Sequence, residues 1–451
     1  MKIKLFLHNF LLGIYPILFL FDNNLDQVQA GEIIIPILIT VLIIIIMTIL
    51  MEFLIKNEKR ATVMLSIFLL MFFFYGAFYS MISSIRINDI FLIQITKGNT
   101  LILPFWIFLL MIIEVIIFKL KPSKLIIISK FLDIFSIVLI LMVSVSLAMN
   151  IDLTQDIHVS HDTAQANQSL DGRDIYYIIL DGYGREDVLE EYYNFSNDKF
   201  LNYLDSKGFY IAKDSRSNYA TTYLSMASTL NMEYVNYLTE KIGRYEDNRV
   251  LPYEMIDNNK VINILKKYNY KIINFRSGWG ATDYNKYADI NFQGGFFNEF
   301  SMVLLRSTMA SPLLVHISDF RQRILYNFEK IKEVPEMPEN KFVFMHIMAP
   351  HPPYLFGPNG EKLKDVDFVM DNPAWQDKKL YIDQLIFVNK KTREVVTHLI
   401  EESDKKPIII IQADHGPAFS GGADNWEIND ELIYERMSIF NAYLLPGVDE
   451  D

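Results

Sequence analysis

The sequence of 451 residues predicts an N-terminal α-helical membrane domain of five spans, followed by an α/β domain with a mostly parallel central sheet. Three observations indicate this fold class. Five long apolar runs occupy residues 1–150, short continuous apolar runs recur after residue 174, and helical patterns separate those short runs. The predicted organisation is therefore a transmembrane domain over residues 1–150, a linker over residues 151–173 and a second folded domain over residues 174–451.

The membrane domain is predicted from the length of its apolar runs. A helix needs about 20 apolar residues to cross a bilayer core. Five runs satisfy this requirement, at roughly residues 5–21, 33–55, 61–83, 100–118 and 125–149. The first run lacks a small-residue cleavage site and four more runs follow it, so we interpret it as a retained helix and not as a signal peptide.

The orientation of the spans follows from the basic residues of the connecting loops. The loop after the first span contains Asp22, Asp26 and Glu32 and no base. Because positively charged loops stay in the cytoplasm, we expect a cytoplasmic N-terminus and, after five spans, an extracytoplasmic second domain. The bases of the predicted cytoplasmic side are Lys2, Lys4, Lys56, Lys59, Arg60, Lys119, Lys121 and Lys124.

Charge and cysteine content exclude several functions. Residues 1–150 contain 11 Lys/Arg and 8 Asp/Glu, a net charge of +3, whereas the whole chain carries −12. The remainder therefore carries −15, which argues against a nucleic-acid partner, because phosphates are met by basic patches. The chain has no cysteine, so disulfides, thiolate metal sites and thiol catalysis are excluded.

The second domain is predicted to be α/β from its alternating patterns. Continuous apolar runs, typical of strands buried on both faces, occupy residues 174–180, 271–275, 341–347, 407–412 and 437–445. Helical patterns lie between them, over residues 257–268 and 383–403. Since strand–helix alternation indicates a covered parallel sheet, active-site residues are expected just after the strands, at their carboxyl ends.

Polar residues follow two of these predicted strands directly. Asp181 and Gly182 end the first run, where the pair fits either a metal-ligating carboxylate or an Asp-Gly turn. Asp414 and His415 follow the fourth run. A hard oxygen beside an imidazole nitrogen suits Zn²⁺ or Mn²⁺, although a capped strand end with a satisfied histidine fits as well.

Two further segments carry groups able to bind or attack an anion. The third run is followed by His351 among prolines, which fix the backbone and suit a rigid loop that presents an imidazole. A hydroxyl-rich stretch over residues 217–228 precedes a helical pattern and contains Thr222. A threonine there is either a helix N-cap or, bound to a metal, a nucleophile.

The order Asp181, Thr222, His351, Asp414-His415 resembles the alkaline phosphatase/sulfatase superfamily. With five spans before the second domain, the chain looks like the membrane-anchored branch, which includes lipoteichoic acid synthases and phosphoethanolamine transferases. The resemblance implies a sulfatase-like fold for the α/β domain. It also implies transfer of a phosphoglycerol or phosphoethanolamine head group from a membrane lipid to a cell-envelope polymer or glycan, through a phospho-threonine intermediate.

The resemblance assigns roles to individual residues. Asp181, Thr222, Asp414 and His415 would hold one divalent metal, Zn²⁺ or Mn²⁺ with Mg²⁺ as an alternative. Thr222 would be the nucleophile, because it and not its neighbour Thr221 keeps the family's Thr-x-x-Ser spacing to Ser225.

Substrate-binding roles are implied for three other residues. His351 matches the His-Pro segment that holds the phosphate-bearing substrate. Arg276 and Trp279 fall in the region that lines the head-group pocket, or belong to a structural loop.

The chain departs from the family pattern in ways that bear on its chemistry. It has neither cysteine nor a Ser-x-Pro-x-Arg motif, which disfavours sulfate-ester hydrolysis through formylglycine. The second metal site of alkaline phosphatases is not evident, and the chain stops at Asp451, where the family usually continues with another helix and loop. Alternatives to the transferase are a sulfatase-like phospho- or sulfo-ester hydrolase with water as acceptor, and a non-catalytic membrane scaffold.

Overall fold

The structure is a computed structural model that describes residues 6–25, 28, 30–83, 99–151, 172–243, 249–295, 297–311, 319–363, 372–421 and 429–448. The chain forms two compact units. The first contains Met1–Ile157 and Phe297–Ser318, and the second contains His158–Phe296 and Asp319–Asp451. The first unit thus ends near the predicted boundary at residue 150 but also includes a later segment, Phe297–Ser318, which packs with the N-terminal helices.

The helices of the described residues, in chain order, are α1 (Leu7–Asp22), α2 (Ile34–Ile55), α3 (Glu58–Phe73), α4 (Tyr75–Ser83), α5 (Asn99–Lys119), α6 (Pro122–Ile151), α7 (Glu186–Tyr193), α8 (Asp198–Ser206), α9 (Thr222–Asn231), α10 (Leu238–Ile242), α11 (Val250–Asp257), α12 (Lys260–Lys267), α13 (Gly280–Asp283), α14 (Glu299–Arg306), α15 (Asp319–Lys330), α16 (Lys378–Glu402) and α17 (Asp430–Met437). Short 3₁₀ turns occupy Ala30–Ile33, Ile331–Glu333 and Asn372–Gln376. The strands are β1 (Ile175–Leu180), β2 (Tyr210–Ile211), β3 (Lys271–Phe275), β4 (Ile290–Phe292), β5 (Lys341–Ile347), β6 (Ile408–Gln412) and β7 (Asn441–Leu444).

Within the described residues, three helices of the first unit are long and apolar enough to cross a membrane, at Ala30–Ile55, Ile102–Lys119 and Pro122–Met149. Helix α1 is apolar but shorter, with 16 residues. The predicted span over residues 61–83 is divided into α3 and α4. The chain is therefore a membrane protein, and the described part of its N-terminal region contains three such long helices where five apolar runs were predicted.

The division of the third run coincides with backbone hydrogen bonds to a distant segment of the chain. The Gly76 N–H donates to the Ser307 carbonyl (2.8 Å), and the Met309 N–H donates to the Phe72 carbonyl (2.9 Å). Backbone groups of the run therefore bond to the segment after α14. Position 76 must be glycine for this approach, because a Cβ there would lie 2.6 Å from the Ser307 Cα.

Helix α14 packs into the first unit through its apolar side. Phe300 and Leu304 are buried in a cluster with Ile17 and Phe21 of α1. Hydropathy alone did not indicate this association, since α14 is a short amphipathic helix far from the predicted spans.

The second unit is built on a seven-stranded sheet in the order β2-β7-β6-β1-β5-β3-β4. The five strands from β6 to β4 pair in parallel, whereas β7 is antiparallel to both β6 and β2. The sheet is therefore mixed, where a mostly parallel sheet was predicted. The apolar run at 437–445 is only partly strand, because Met437 ends α17 and the strand begins at Asn441.

The helical patterns have shifted boundaries. The stretch predicted at 383–403 belongs to α16, which begins earlier, after Asp377 caps it by accepting the Leu380 N–H. The stretch at 257–268 is interrupted between α11 and α12, because the side chain of Asn259 accepts the Ile262 N–H and starts a new helix.

Parallel pairing brings three strand ends to one edge of the sheet. Leu180 of β1 lies opposite Ile347 of β5, and Ile179 lies opposite Gln412 of β6. Residues that follow these strands therefore emerge side by side, as expected for the active edge of an α/β sheet.

One buried carboxyl at the end of α11 predicts a pH dependence of stability. Burial raises the pKa of Asp257 to about 7, against the attraction of Lys286 and with a further rise from Glu254. The unfolded chain has an aspartate pKa of about 3.9. The folded state therefore retains a proton that the unfolded state loses, and stability falls as pH rises from about 4 to about 7.

We expect Asp257→Asn to raise the thermal unfolding midpoint relative to the parent at pH 8, because it removes the buried charge. The two midpoints should converge at pH 4, where both proteins carry a neutral side chain. Circular dichroism melts of the purified protein at the two pH values measure this. An equal difference at pH 4 and pH 8 would contradict the assignment to residue 257.

Candidate metal and catalytic site

Side chains capable of binding a metal gather at the strand edge described above. Asp181 follows β1, and Asp414 and His415 follow β6 by two and three residues. Thr222 is the first residue of α9, whose N-cap is Thr221 and not Thr222 itself. The sheet and one helix N-terminus thus deliver all four predicted ligands to one place.

The distances within this group are short. The Nε2 atom of His415 lies 3.3 Å from the Thr222 Oγ1 atom, 3.3 Å from the Asp414 Oδ2 atom and 3.5 Å from the Asp181 Oδ1 atom. Four ligands placed tetrahedrally at zinc–nitrogen and zinc–oxygen distances lie roughly 3.3 Å from one another. Asp181, Thr222, Asp414 and His415 therefore form a donor set of suitable spacing.

The donor atoms also have unsatisfied bonding capacity. Asp181 Oδ1 and Asp414 Oδ2 are buried and accept no hydrogen bond from any described residue. The other Asp414 oxygen accepts the Gly182 N–H at 3.2 Å, which orients the carboxylate. Because buried, unsatisfied carboxylates are costly, this donor set fits a divalent cation with mixed oxygen and nitrogen ligands.

The protonation states suit metal binding. Burial, with a contribution from Arg436, lowers the pKa of His415 to about 4. Its Nδ1 donates to the Gly416 carbonyl at 2.9 Å, so the Nε2 lone pair faces the cluster. Burial by itself would raise the pKa of Asp181, but His351, His346 and His415 overcome this and hold that pKa well below its usual range.

His346 also belongs to the cluster, although no sequence motif predicted a role for it. It lies within β5, fully buried, with its Nε2 3.3 Å from Asp181 Oδ2 and its Nδ1 2.7 Å from the Thr282 hydroxyl. Ligand atoms of Asp181, His346 and Asp414 all lie within 4.8 Å of one another. The available signal was a histidine inside a strand whose other residues, after Lys341, are apolar.

His351 also faces the cluster. Its Nδ1 donates to the Pro352 carbonyl at 2.6 Å, which directs Nε2 away from the loop. One ligand atom from each of Asp181, His351 and His415 lies within 4.8 Å of the others. The imidazole is therefore placed to bind either a cation or the phosphate of a substrate.

Trp375 and Arg436 border the site and were not singled out from the sequence. The Trp375 ring makes an edge contact with His351, with a centroid separation of 4.8 Å. It also lies so close to Gly182 that a Cβ there would come within 2.7 Å of the indole. Arg436 donates to the carbonyls of Ala220 and Gly416 and, at 3.0 Å, to the His415 Nε2 atom.

The two remaining predicted residues, Trp279 and Arg276, differ from each other in their contacts. The Trp279 ring makes an edge contact with His346, with centroids 6.4 Å apart. The Arg276 guanidinium forms an ion pair with Asp283 and donates to Gln293. Asp283 in turn binds the buried Arg323. Trp279 thus borders the cluster through His346, whereas the described contacts of Arg276 are with a neighbouring ion-pair network.

Comparison with protein families identifies the second unit. The family model described as Sulfatase matches residues 173–436, more than half of the chain. The chain belongs to the sulfatase family. The match contains every predicted site residue, and it confirms the resemblance to the alkaline phosphatase/sulfatase superfamily and the assignment of the protein as an enzyme of that superfamily.

Solved structures similar to this sulfatase-family chain have low sequence identity. The integral membrane lipooligosaccharide phosphoethanolamine transferase EptA from Neisseria meningitidis is 12% identical, with 97% of this chain and 88% of that chain covered and a TM-score of 0.43. The periplasmic domain of EptC from Escherichia coli, in complex with Zn, is 12% identical, with 60% and 72% covered and a TM-score of 0.39. The 2-O GAG sulfatase BT1596 is 11% identical, with 62% and 65% covered and a TM-score of 0.40. None of the curated proteins matches the chain.

The donor set predicts that the purified sulfatase-family protein binds a divalent cation. We expect stoichiometric Zn or Mn by elemental analysis, and a lower thermal midpoint after chelation, since a ligand of the folded state stabilises it. In Asp414→Ala, both the bound metal and the effect of the chelator should be lost.

Asp187→Asn is the control for this prediction. Asp187 is a carboxylate of the same unit that pairs with Arg185 and not with the cluster, so the variant should retain its metal. Metal retained at parental stoichiometry in Asp414→Ala would contradict the assignment.

Proposed function

We propose that the protein transfers a phosphoglycerol or phosphoethanolamine head group from a membrane lipid to a cell-envelope polymer or glycan, through a phospho-threonine at Thr222. The observation that carries the proposal is the Thr222 hydroxyl, 3.3 Å from the His415 imidazole at the N-terminus of α9, in a chain that also contains apolar membrane helices. Arg276 and Trp279 are proposed to line the head-group pocket, and His351 to bind the phosphate.

The location of Thr222 supports its role as nucleophile. A helix N-terminus presents unpaired N–H groups and favours negative charge, which stabilises both an ionised hydroxyl and the transferring phosphate. A divalent cation bound by Asp181, Thr222, Asp414 and His415 would lower the pKa of the hydroxyl and offset the phosphate charge.

The reaction is proposed to proceed in two displacements. Thr222 Oγ1 forms a bond to phosphorus, the bond from phosphorus to the diacylglycerol oxygen breaks, and the threonine proton passes through His351 Nε2 to the leaving oxygen. An acceptor hydroxyl then attacks phosphorus, the bond from phosphorus to Thr222 Oγ1 breaks, and the acceptor proton passes through His351 Nε2 to Thr222 Oγ1. His351 can carry this proton because its Nδ1 is already committed to the Pro352 carbonyl.

The membrane helices fit a lipid donor. We propose five crossings, with α3 and α4 together forming the third, a cytoplasmic N-terminus and an extracytoplasmic catalytic unit. The distribution of Lys and Arg between the loops supports this orientation. In this topology the donor comes from the outer leaflet.

A hydrolase is the second candidate, favoured by the match to the Sulfatase family model. With water as the acceptor, the same phospho-threonine would release free phosphoglycerol or phosphoethanolamine. Product analysis with a lipid donor, with and without a polyol acceptor, separates the two functions. A non-catalytic scaffold would form no covalent adduct at all.

The intact mass of the peptide that contains Thr222 tests the nucleophile. After incubation with phosphatidylglycerol or phosphatidylethanolamine vesicles, we expect an added phosphoglycerol or phosphoethanolamine, which also identifies the head group. Thr222→Ala should lack the adduct and lose about 10⁴-fold or more in turnover, as expected for removal of a nucleophile.

Thr221→Ala is the matched control, because its hydroxyl makes no capping bond and it is not proposed to react. It should keep the adduct and most of its turnover. Undiminished turnover in Thr222→Ala, or an adduct on Thr221, would refute the assignment.

A further inference from the structure

Gln384 is a fully buried amide near the start of α16 with all its described bonds to one loop. Its Oε1 accepts the Leu355 N–H at 2.7 Å. Its Nε2 lies 2.9 Å from the His351 carbonyl, 3.2 Å from the Pro350 carbonyl and 3.5 Å from the Pro353 carbonyl. A single side chain therefore contacts both ends of the loop that carries His351.

This loop is poor in donors of its own. Three of its residues, Pro350, Pro352 and Pro353, have no backbone N–H. The His351 N–H is already used, because it donates to the Asp181 carbonyl at 3.0 Å. The buried carbonyls of the loop must be satisfied from outside, since an unpaired buried acceptor is destabilising, and Gln384 supplies that donor.

The orientation of the His351 ring depends on this backbone. Its Nδ1 is bonded to the Pro352 carbonyl, and the ring rests against Trp375, so the direction of Nε2 is set by where the loop lies. A shift of the loop would carry the imidazole with it.

Helix α16 positions the neighbouring loop in a similar way. The Tyr381 hydroxyl, one turn before Gln384, donates to the Gly182 carbonyl at 3.0 Å and accepts the Gly184 N–H at 3.2 Å. One face of α16 thus binds the backbone beside Asp181 through Tyr381 and the backbone around His351 through Gln384.

We propose that Gln384 is a positioning residue that orients the His351 imidazole toward the cluster. The expected effect of Gln384 on turnover rests on the proposed function, whereas its effect on the orientation of the His351 ring does not. An apolar residue at this position would fill the same space but leave the loop carbonyls without a donor. The amide is therefore needed because it both donates and accepts hydrogen bonds, and not because of its volume.

The test uses two Gln384 variants of the 451-residue protein and one matched control. Gln384→Glu keeps the shape and the acceptor for Leu355 but has no N–H to donate when ionised, and Gln384→Met removes both functions. Asn389→Asp is the control, because Asn389 is a buried amide on the same helix whose bonds go to Tyr183 and Asn197.

The direct readout is NMR of protein labelled with ¹³C at histidine Cε1. The chain has eight histidines, and His351→Asn assigns the signal of interest. We expect the His351 signal to shift in both Gln384 variants and to stay in place in Asn389→Asp, with the His398 signal unchanged throughout. An unmoved His351 signal in Gln384→Glu and Gln384→Met would overturn the proposal. So would equal shifts of all histidines, or a failure of both variants to fold while Asn389→Asp folds.

The kinetic readout is a double-mutant cycle. Displacement of a catalytic group by about 1 Å can reduce turnover about 100-fold. We expect a loss of that size in kcat for Gln384→Glu, and no further loss when the change is added to His351→Asn. Additive losses would mean that Gln384 acts elsewhere and would overturn the proposal. A parent protein without transferase turnover would refute the proposed function, while the NMR result would still decide the role of Gln384.

Discussion

Two buried carboxylates at the ends of β1 and β6 impose the main constraint on the second unit. Asp181 and Asp414 face the same small volume, and the effective cost of burying an isolated ion is several kcal/mol. Their surroundings offset this cost: Gly182 donates a backbone N–H to Asp414, histidines flank Asp181, and Arg436 places a guanidinium beside His415. The remaining bonding capacity of the oxygens suits a divalent cation.

The loops of this site are held in place by residues that lie outside the predicted motifs. Arg436, at the end of α17, joins the Thr222 loop to the His415 loop through the carbonyls of Ala220 and Gly416. Glu435 beside it accepts the backbone N–H groups of Phe419 and Ser420, which fixes the chain that leaves the His415 motif. The positions of the Thr222 and His415 loops thus depend on buried polar residues of α17, which lies outside both loops.

Much of the strand framework could be predicted from the sequence, because apolar runs buried on both faces have a local signature. The convergence of Asp181, Asp414 and His415 followed from parallel pairing and the rule that sites form beyond carboxyl ends. The site residues that were not predicted join the site through contacts with residues that are distant in the chain. His346 was hidden within an apolar strand, and Trp375 belongs to a 3₁₀ turn without any motif of its own.

The helical unit shows the same limit. Hydropathy located five apolar runs, but it could not reveal that the third is divided, because the partners of Phe72 and Gly76 are Met309 and Ser307, far away in the chain. The antiparallel β7 and the two-residue β2 were likewise set by pairing and not by local composition.

Helix α14 has a practical consequence for expression of the catalytic region alone. A protein shortened to begin at residue 172 would still carry α14, although the helices that bury Phe300 and Leu304 would be gone. These side chains would become an exposed apolar patch, of the kind that promotes aggregation. Soluble production of this region therefore calls for replacement of residues 297–318 by a short polar loop, in addition to removal of the N-terminal helices.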